Sequence, residues 1–253
     1  MNNALSILVN ALVDSFRPKM LMLTLISVAF ASLFWLGVIW LSIDPLVNLA
    51  TWLLAYAGVD FTVDPETGST LLSVIKLVLV PLTVFGLLWP IVATSAVLLA
   101  GLYVTPPVVK YLSGREFSDV RTQGDASMWL GLWVTLKAVL VFLVAWVITL
   151  PLWLIPGVAF VLPVLLTAYL LIAVMRFDAL ANHATKQEMK LIKKKDSTSA
   201  WLIGLVCAFL SFIPPILLIM PVMSALAFTR HYLMSLREVR SDPVVDVEVI
   251  EMQ

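Results

Sequence analysis

Charge is what this 253-residue chain has little of: 13% of its residues are Asp, Glu, Lys or Arg, against 61% hydrophobic. Soluble domains carry about 25% charged residues, so an ordinary soluble fold is excluded. The shortage is concentrated: residues 20–43, 77–109, 138–175 and 197–229 contain no charge at all. Each run exceeds the roughly 20 apolar residues that cross a hydrocarbon core of about 30 Å. Strand-like alternation is also missing, which excludes a membrane β-barrel. In lipid, runs this long satisfy their backbone groups only as helices. The single cysteine, Cys207, rules out an intrachain disulfide. The first charge-free run is too long for a signal-peptide core and no small-residue cleavage site follows it, so a cleaved leader is not expected. The expected class is all-α integral membrane, one membrane domain over 1–253.

Catalytic constellations are absent too. No phosphate-binding glycine loop, His-Glu-x-x-His or exposed nucleophile with a matching base occurs, so neither an enzymatic activity nor a cofactor is expected. His183 and His231 stand alone, without metal-ligand spacing, and no metal is expected. The lysines between 190 and 195 adjoin the membrane, and acids share their linker. They suit anionic headgroups, at about 1 kcal/mol per charge near the surface, better than nucleic acid.

What is present is a repeat. Residues 154–165 read LIPGVAFVLPVL and residues 212–223 read FIPPILLIMPVM, 58 positions apart. Ile155-Pro156 and Pro163-Val164 in the first copy correspond to Ile213-Pro214 and Pro221-Val222 in the second. Proline clashes with the preceding turn and removes a donor, so each run is expected to break into two arms. Pro156, Pro163, Pro214 and Pro221 are the expected structural turns. Broken helices inside a membrane suggest a solute-handling site more than a simple anchor.

The charges are unevenly placed. Asp44, Asp60, Asp64 and Glu66 occupy the first long loop, whereas Arg176, Lys186, Lys190, Lys193, Lys194 and Lys195 cluster between the two repeat copies. Basic loops stay cytoplasmic. That puts 1–19, 105–137, 176–198 and 230–253, with both termini, inside, and 44–76 outside.

The expected organisation follows. Residues 4–16 form an interfacial helix with Leu5, Leu8, Leu12 and Phe16 on one face. Spans cover 20–41 and 77–104, with Trp52 and Tyr56 of segment 46–58 at the outer interface and a turn at Asp64–Gly68. The second span, about 42 Å long, contains Pro81 and Pro90 and must tilt, kink or project; Thr105-Pro106-Pro107 ends or bends it. Two proline-broken hairpins follow, 138–175 and 199–229, both starting and finishing on the basic side. Arms of about 27 Å in the first are just enough to cross, and arms of about 21 Å in the second are short. Hairpins dipping in from the cytoplasm are favoured, although six full spans give the same sidedness. A polar tail occupies 237–253.

One stretch carries a resemblance: WLIPGVAFVLPVLLTAYLLIAVMRFDALANH over Trp153–His183, then a basic linker, then FIPPILLIMPVMSALA. The order is an Ile-Pro-Gly turn, an apolar helix, a Phe-Asp-x-x-x-x-His step and a second Ile-Pro turn. It resembles the bacterial CysZ sulfate-permease family, which shares a domain with the etoposide-induced membrane proteins of eukaryotes, best over about 135–235. The resemblance implies a multi-pass bacterial inner-membrane protein with two long spans and two partly inserted hairpins, and for the CysZ branch it implies sulfate uptake. That branch carries Pro-Gly-x-Arg-Arg before the first span, where this chain has Arg17-Pro18-Lys19-Met20. It carries Gly-Leu-Leu-Ala-Glu after the second span, where this chain has Thr105-Pro106-Pro107-Val108-Val109.

The substrate-binding candidates are Arg17 and Lys19, as capture cations, and Gly157 and Pro215, as shapers of the tips. A helix beginning at either tip would offer free donors to an oxyanion; equally, proline is simply comfortable at a first helical position. Arg17 and Lys19 also suit ordinary anchors that snorkel to lipid phosphates. Arg176, Asp178, Asn182 and His183 form a membrane-exit cluster, with Asp178 expected to pair basic groups. The hydroxyls of Thr24, Ser27, Thr94, Ser95, Thr149, Thr167, Tyr169, Ser211 and Ser224 are expected to join helices or bond their own backbone more often than to line a pore. The expected partners are the lipid bilayer, a small oxyanion and further copies of the chain, since hairpins that stop inside the bilayer leave polar tip groups to cover. Two functions stay open: transport of a small oxyanion such as sulfate, or a non-transporting role in lipid binding or in organising a membrane complex.

Overall fold

A computed structural model describes residues 2–56, 70–124 and 128–241. The predicted Asp64–Gly68 turn, with Asp60, Asp64 and Glu66, and the tail beyond 241 lie outside the described residues. Within them the chain is all-helical, without strands. Among the described residues four helices are long and apolar enough to cross a membrane: Pro18–Val38, Leu88–Arg115, Trp129–Trp153 and Gly157–Leu180.

The chain divides into two compact units. One comprises residues 29–93 and the other residues 1–28 with 94–253. The first holds most of α2 (Pro18–Tyr56) and of α3 (Thr70–Leu99). Here one expectation is corrected: 20–41 and 46–58 are not separate segments, because α2 runs through Pro45 as a single helix. Apolar sequence continues on both sides of the proline, and propagating a helix past one lost hydrogen bond is easier than nucleating another. Trp52 and Tyr56 stack at 5.8 Å near the end of α2, both largely exposed.

The second unit contains the repeats. From α3 the chain passes through a π-helical turn, Ala100–Val104, into α4 (Thr105–Arg115). The Thr-Pro-Pro step ends nothing: Pro106 and Pro107 fall in the first turn of α4, where a missing donor costs little. The Thr105 N–H instead reaches back to the Ala100 carbonyl, the bond that defines the wide turn. Then come α5 (Met128–Thr149), a 3₁₀ segment (Leu150–Leu154), α6 (Pro156–Leu180), α7 (Lys186–Lys195), α8 (Ser197–Leu210), α9 (Pro214–Leu217) and α10 (Met220–Ser241).

α10 is the hub, packing on α1 (Asn2–Ser15), α4, α6, α7 and α8. Its stretch Val222–Leu233 is buried without a gap. α6 lies between α5, α8 and α10, and half of its span is buried against 17% for α5. Trp129, Leu132, Trp133, Leu136, Leu140, Val144, Val147 and Ile148 of α5 are exposed. An apolar face of that size belongs against lipid. α6 and α8 approach closely through small residues. A Cβ at Gly204 would come within 2.8 Å of Ile172 and 3.3 Å of the Ala168 carbonyl oxygen, the packing that membrane helices use in place of a hydrophobic drive.

The two Ile-Pro turns are the same structure twice. Ile155 (φ −91°, ψ 112°) and Ile213 (φ −95°, ψ 110°) are both extended N-caps, each with proline opening the next helix. Each also donates its N–H three residues back, Ile155 to Leu152 and Ile213 to Leu210, both at 3.1 Å. The second prolines differ. Pro163 does not turn the chain but lies inside α6, whereas Pro221 follows a turn at 218–219 and sits in the first turn of α10. A proline inside a membrane helix forfeits one bond, and α6 is flanked by helices that can absorb the distortion. The tips are neighbours: the Phe160 ring lies 6.2 Å from that of Phe209 and 6.4 Å from that of Phe212.

α1 buries Ala4, Ile7, Leu8 and Ala11 and exposes Leu5, Val9, Leu12 and Phe16. It therefore has two apolar faces, one against α10 and one open, rather than the single face read from the sequence. At the other end α10 continues to Ser241, so 237–241 are helix rather than tail, held by the arginine pairs described next.

Candidate functional site

The site is built at the turn between α1 and α2. Phe16 and Arg17 donate back to Val13 and Asp14, at 3.2 and 3.1 Å, closing α1; Pro18 then opens α2, and Arg17 accepts from Met20 and Leu21 at 2.9 and 2.8 Å. This turn puts Asp14, Arg17 and Lys19 at one corner. Behind them lies Arg230 of α10, with a side chain 5% exposed. Its guanidinium donates to Asp14 at 2.6 Å and to both oxygens of Glu116 at 2.7 and 2.8 Å. Asp14 is 7% exposed and is shared with Arg17 Nε at 2.6 Å. Burial alone would lower the Arg230 pKa; the Glu116 and Asp14 carboxylates outweigh it and hold the pKa above its ordinary value.

In front of this network is an open groove of about 490 Å³ lined by Arg17, Pro18, Lys19, Met20, Tyr111 and Arg115. Arg115 donates to the Tyr111 hydroxyl at 2.5 Å, one turn back on α4. Buried Asp14 and the more open Glu116 are matched by Arg17 and Arg230, so Lys19 and Arg115 leave the groove with excess positive charge. The structure thus brings the two predicted capture cations together and adds two residues the sequence reading missed. Arg230, Asp14 and Glu116 were missed as well, since partners 114 and 216 positions apart leave no local pattern.

α10 carries two more arginines along the same side. Arg237 donates to the Glu116 carbonyl at 2.8 Å, pairs with Asp119 and covers the Phe117 ring at 4.8 Å. Arg240 donates to Glu188 at 2.8 Å, to the His183 carbonyl at 2.7 Å and to the Arg121 carbonyl at 2.9 Å. Glu188 also completes a capping box with Thr185 at the start of α7. Burial raises its pKa, but the Arg240 and Thr185 bonds prevail and hold it below the usual glutamate value.

The membrane-exit residues do not act as one cluster. Asn182 and His183 accept backbone bonds from Gly124 and Gln123, at 3.2 and 3.3 Å, docking the loop after α4. Burial, and secondarily Arg240, lower the His183 pKa. The expectation that Asp178 pairs basic groups is corrected: among the described residues no salt bridge reaches it, and a Cβ at Gly101 would sit 2.5 Å from its Oδ2. Arg176, two residues away, lies about 200° around the helix and lines a different pocket.

At the tips, Gly157 has open space where a Cβ would be, so packing does not demand glycine there. Pro215 falls inside the four-residue α9. Thr24, Ser27, Thr149, Ser211 and Ser224 donate to carbonyls three or four residues back, whereas the buried Thr94 and Thr167 hydroxyls have no hydrogen-bond partner among the described residues.

A family model described as "Sulfate transporter CysZ/Etoposide-induced protein 2.4" matches residues 7–221. The chain belongs to this family. No curated protein and no solved structure matches it. The CysZ/etoposide-induced match spans the groove and both tips but stops short of Arg230, Arg237 and Arg240. The cations that hold the groove's frame together therefore lie beyond the matched residues. This member of the family is a membrane protein, with four helices suited to crossing a bilayer.

Proposed function

We propose that the protein moves a small oxyanion such as sulfate across a bacterial inner membrane, with both termini cytoplasmic, and that the Arg17–Lys19–Arg115 groove gathers the anion. The observation that carries this reading is the groove's excess charge beside a phenol hydroxyl. Arg115 brings from α4 the second guanidinium that the Arg17-Pro18-Lys19-Met20 stretch does not contain. Backbone donors at the start of α6, around Gly157, and the neighbouring turn at Pro215 would serve the anion farther in, where the apolar runs hold no charge. A second reading, a non-transporting protein that binds lipid or organises a complex, is favoured by one observation: the tips meet through the apolar rings of Phe160, Phe209 and Phe212.

Labelled sulfate flux into proteoliposomes tests the proposal, with Lys19→Glu and Arg115→Glu alongside. The expected result is flux above protein-free liposomes that falls by about tenfold in each variant, because local anion concentration responds steeply to a reversed charge at a cleft mouth. No flux above empty liposomes ends the transport reading. Flux untouched by both variants removes the groove from it.

A further inference from the structure

A second pocket, of about 220 Å³, lies away from the groove, between α6, α7, α8 and α10. Its polar lining is Tyr169 and Arg176 of α6, Lys193 of α7, Asp196 and Ser197 at the start of α8, and Tyr232 of α10. Nothing in the transport reading uses it. Three features of its construction point to a ligand.

The first is the start of α8, a 14-residue helix whose N-cap, Asp196, makes no side-chain cap hydrogen bond. The N–H groups of Ser197, Thr198 and Ser199 therefore have no intrahelical acceptor and no cap, a ready anion cradle. The second is Tyr232. Its side chain is 2% exposed and lines the pocket, yet its buried hydroxyl has no hydrogen-bond partner. A buried hydroxyl without a partner costs free energy and calls for an acceptor. The third is charge. Arg176 and Asp196 both act electrostatically on that hydroxyl, and Asp196 also acts on the His231 ring of α10. Among the described residues neither Arg176 nor Lys193 closes a salt bridge with Asp196 or any other acid. Two cations against one acid leave the pocket net positive.

We infer that this pocket binds a tetrahedral oxyanion of the phosphate class, held by Arg176, Lys193, the Tyr232 hydroxyl and the free N–H groups of α8. Asp196 opposes it, weakening the site. The anion could be a phospholipid headgroup or free phosphate. Trp201, 36% exposed, lines the same opening, and an amphipathic ring there suits a headgroup at the interface. The inference does not rest on transport and is read by binding alone.

The test uses the full-length purified protein in two arms. In non-ionic detergent, binding of inorganic phosphate is followed by calorimetry. In nanodiscs, phosphatidylglycerol retention against phosphatidylcholine is followed by native mass spectrometry. In whichever arm wild type binds, Arg176→Gln is expected to weaken binding about tenfold or more and Tyr232→Phe about threefold to tenfold, in the range of charged and neutral hydrogen bonds. Asp196→Asn is expected to tighten it about threefold, a gain that a misfolded variant cannot give; thermal unfolding of each variant checks the rest. Phosphate alone identifies a soluble ligand, and phosphatidylglycerol alone a headgroup. Binding in neither arm, or binding indifferent to all three substitutions, overturns the assignment.

Discussion

Arg230→Met should be among the most damaging single changes in the helical framework, and the structure says by how much. The guanidinium is 5% exposed and bridges Asp14, 7% exposed, to Glu116, 34% exposed. Methionine would fill much of the volume but leave Asp14 with Arg17 alone, whose side chain is 41% exposed. Breaking a buried ion pair by removing one partner costs about 3–5 kcal/mol. At about 2–4 °C per kcal/mol for a chain of this size, the unfolding midpoint should fall by about 6–20 °C. The assay is thermal unfolding in detergent by tryptophan fluorescence, in a cycle with Asp14→Asn and Glu116→Gln. If the loss comes from stranded carboxylates, neutralising both acids in the Arg230→Met background should recover about half or more of it, since residues of one network couple by about 0.5–3 kcal/mol. An Arg230→Met midpoint within 1 °C of wild type, or a cycle that is purely additive, would refute the reasoning.

Two further outcomes follow from the same framework. Gly124→Ala should undock the loop after α4, because a Cβ there would overlap the Ala181 carbonyl oxygen and the Asn182 backbone; faster hydrogen exchange at the amides of positions 123 and 124 than in wild type is the readout. Acid should destabilise the protein in two steps. The His183 pKa is lowered on folding, so its contribution falls away as pH drops below about 6.5; the Glu188 pKa is also lowered, so the stability from its Arg240 pair starts to fall only below 4.5 and is gone once pH passes the depressed folded value. Glu188→Gln should remove the second step from a midpoint-against-pH curve and leave the first.

The elements that follow from composition and period were legible in the sequence: the helical class, the apolar spans, and the equivalence of Ile155 and Ile213, whose backbones differ by only a few degrees. Prolines were legible only where they fall in a first turn. Pro156, Pro214 and Pro221 do, whereas Pro45 and Pro163 sit inside continuous helices, because the loss of one donor is local and helix propagation is cooperative. The site was half legible. Arg17 and Lys19 stand at a turn that the sequence marks with Pro18. Arg115 and Arg230 reach the same corner from distant helices, and only tertiary packing decides that. Asp178 was misjudged because neighbouring charges in sequence need not share a helix face.

The structure ties the two hairpins together at both of their ends. At one end the tips touch through Phe160, Phe209 and Phe212. At the other, Arg176, Ser197 and Tyr232 meet in one pocket. α6 runs unbroken from Gly157 at the tips to Arg176 at the pocket, about 29 Å at 1.5 Å per residue, and α8 with the turn after it runs between the same two ends. By charge-free length the arms of the second hairpin are short, but α8 starts at the pocket it shares with Arg176 and meets α6 again where Phe209 faces Phe160. If the pocket lies at the inner interface, as its cations and Trp201 require on the proposed orientation, the tips come within a few ångströms of the far edge of a hydrocarbon core about 30 Å thick. Gly157→Cys is the probe, since nothing stands within 4 Å of a Cβ there. A membrane-impermeant maleimide added from the periplasmic side should label it slowly but completely, and the same reagent from the cytoplasmic side should not. Labelling only from the cytoplasmic side would mean shallow hairpins and an inner interface far from Arg176.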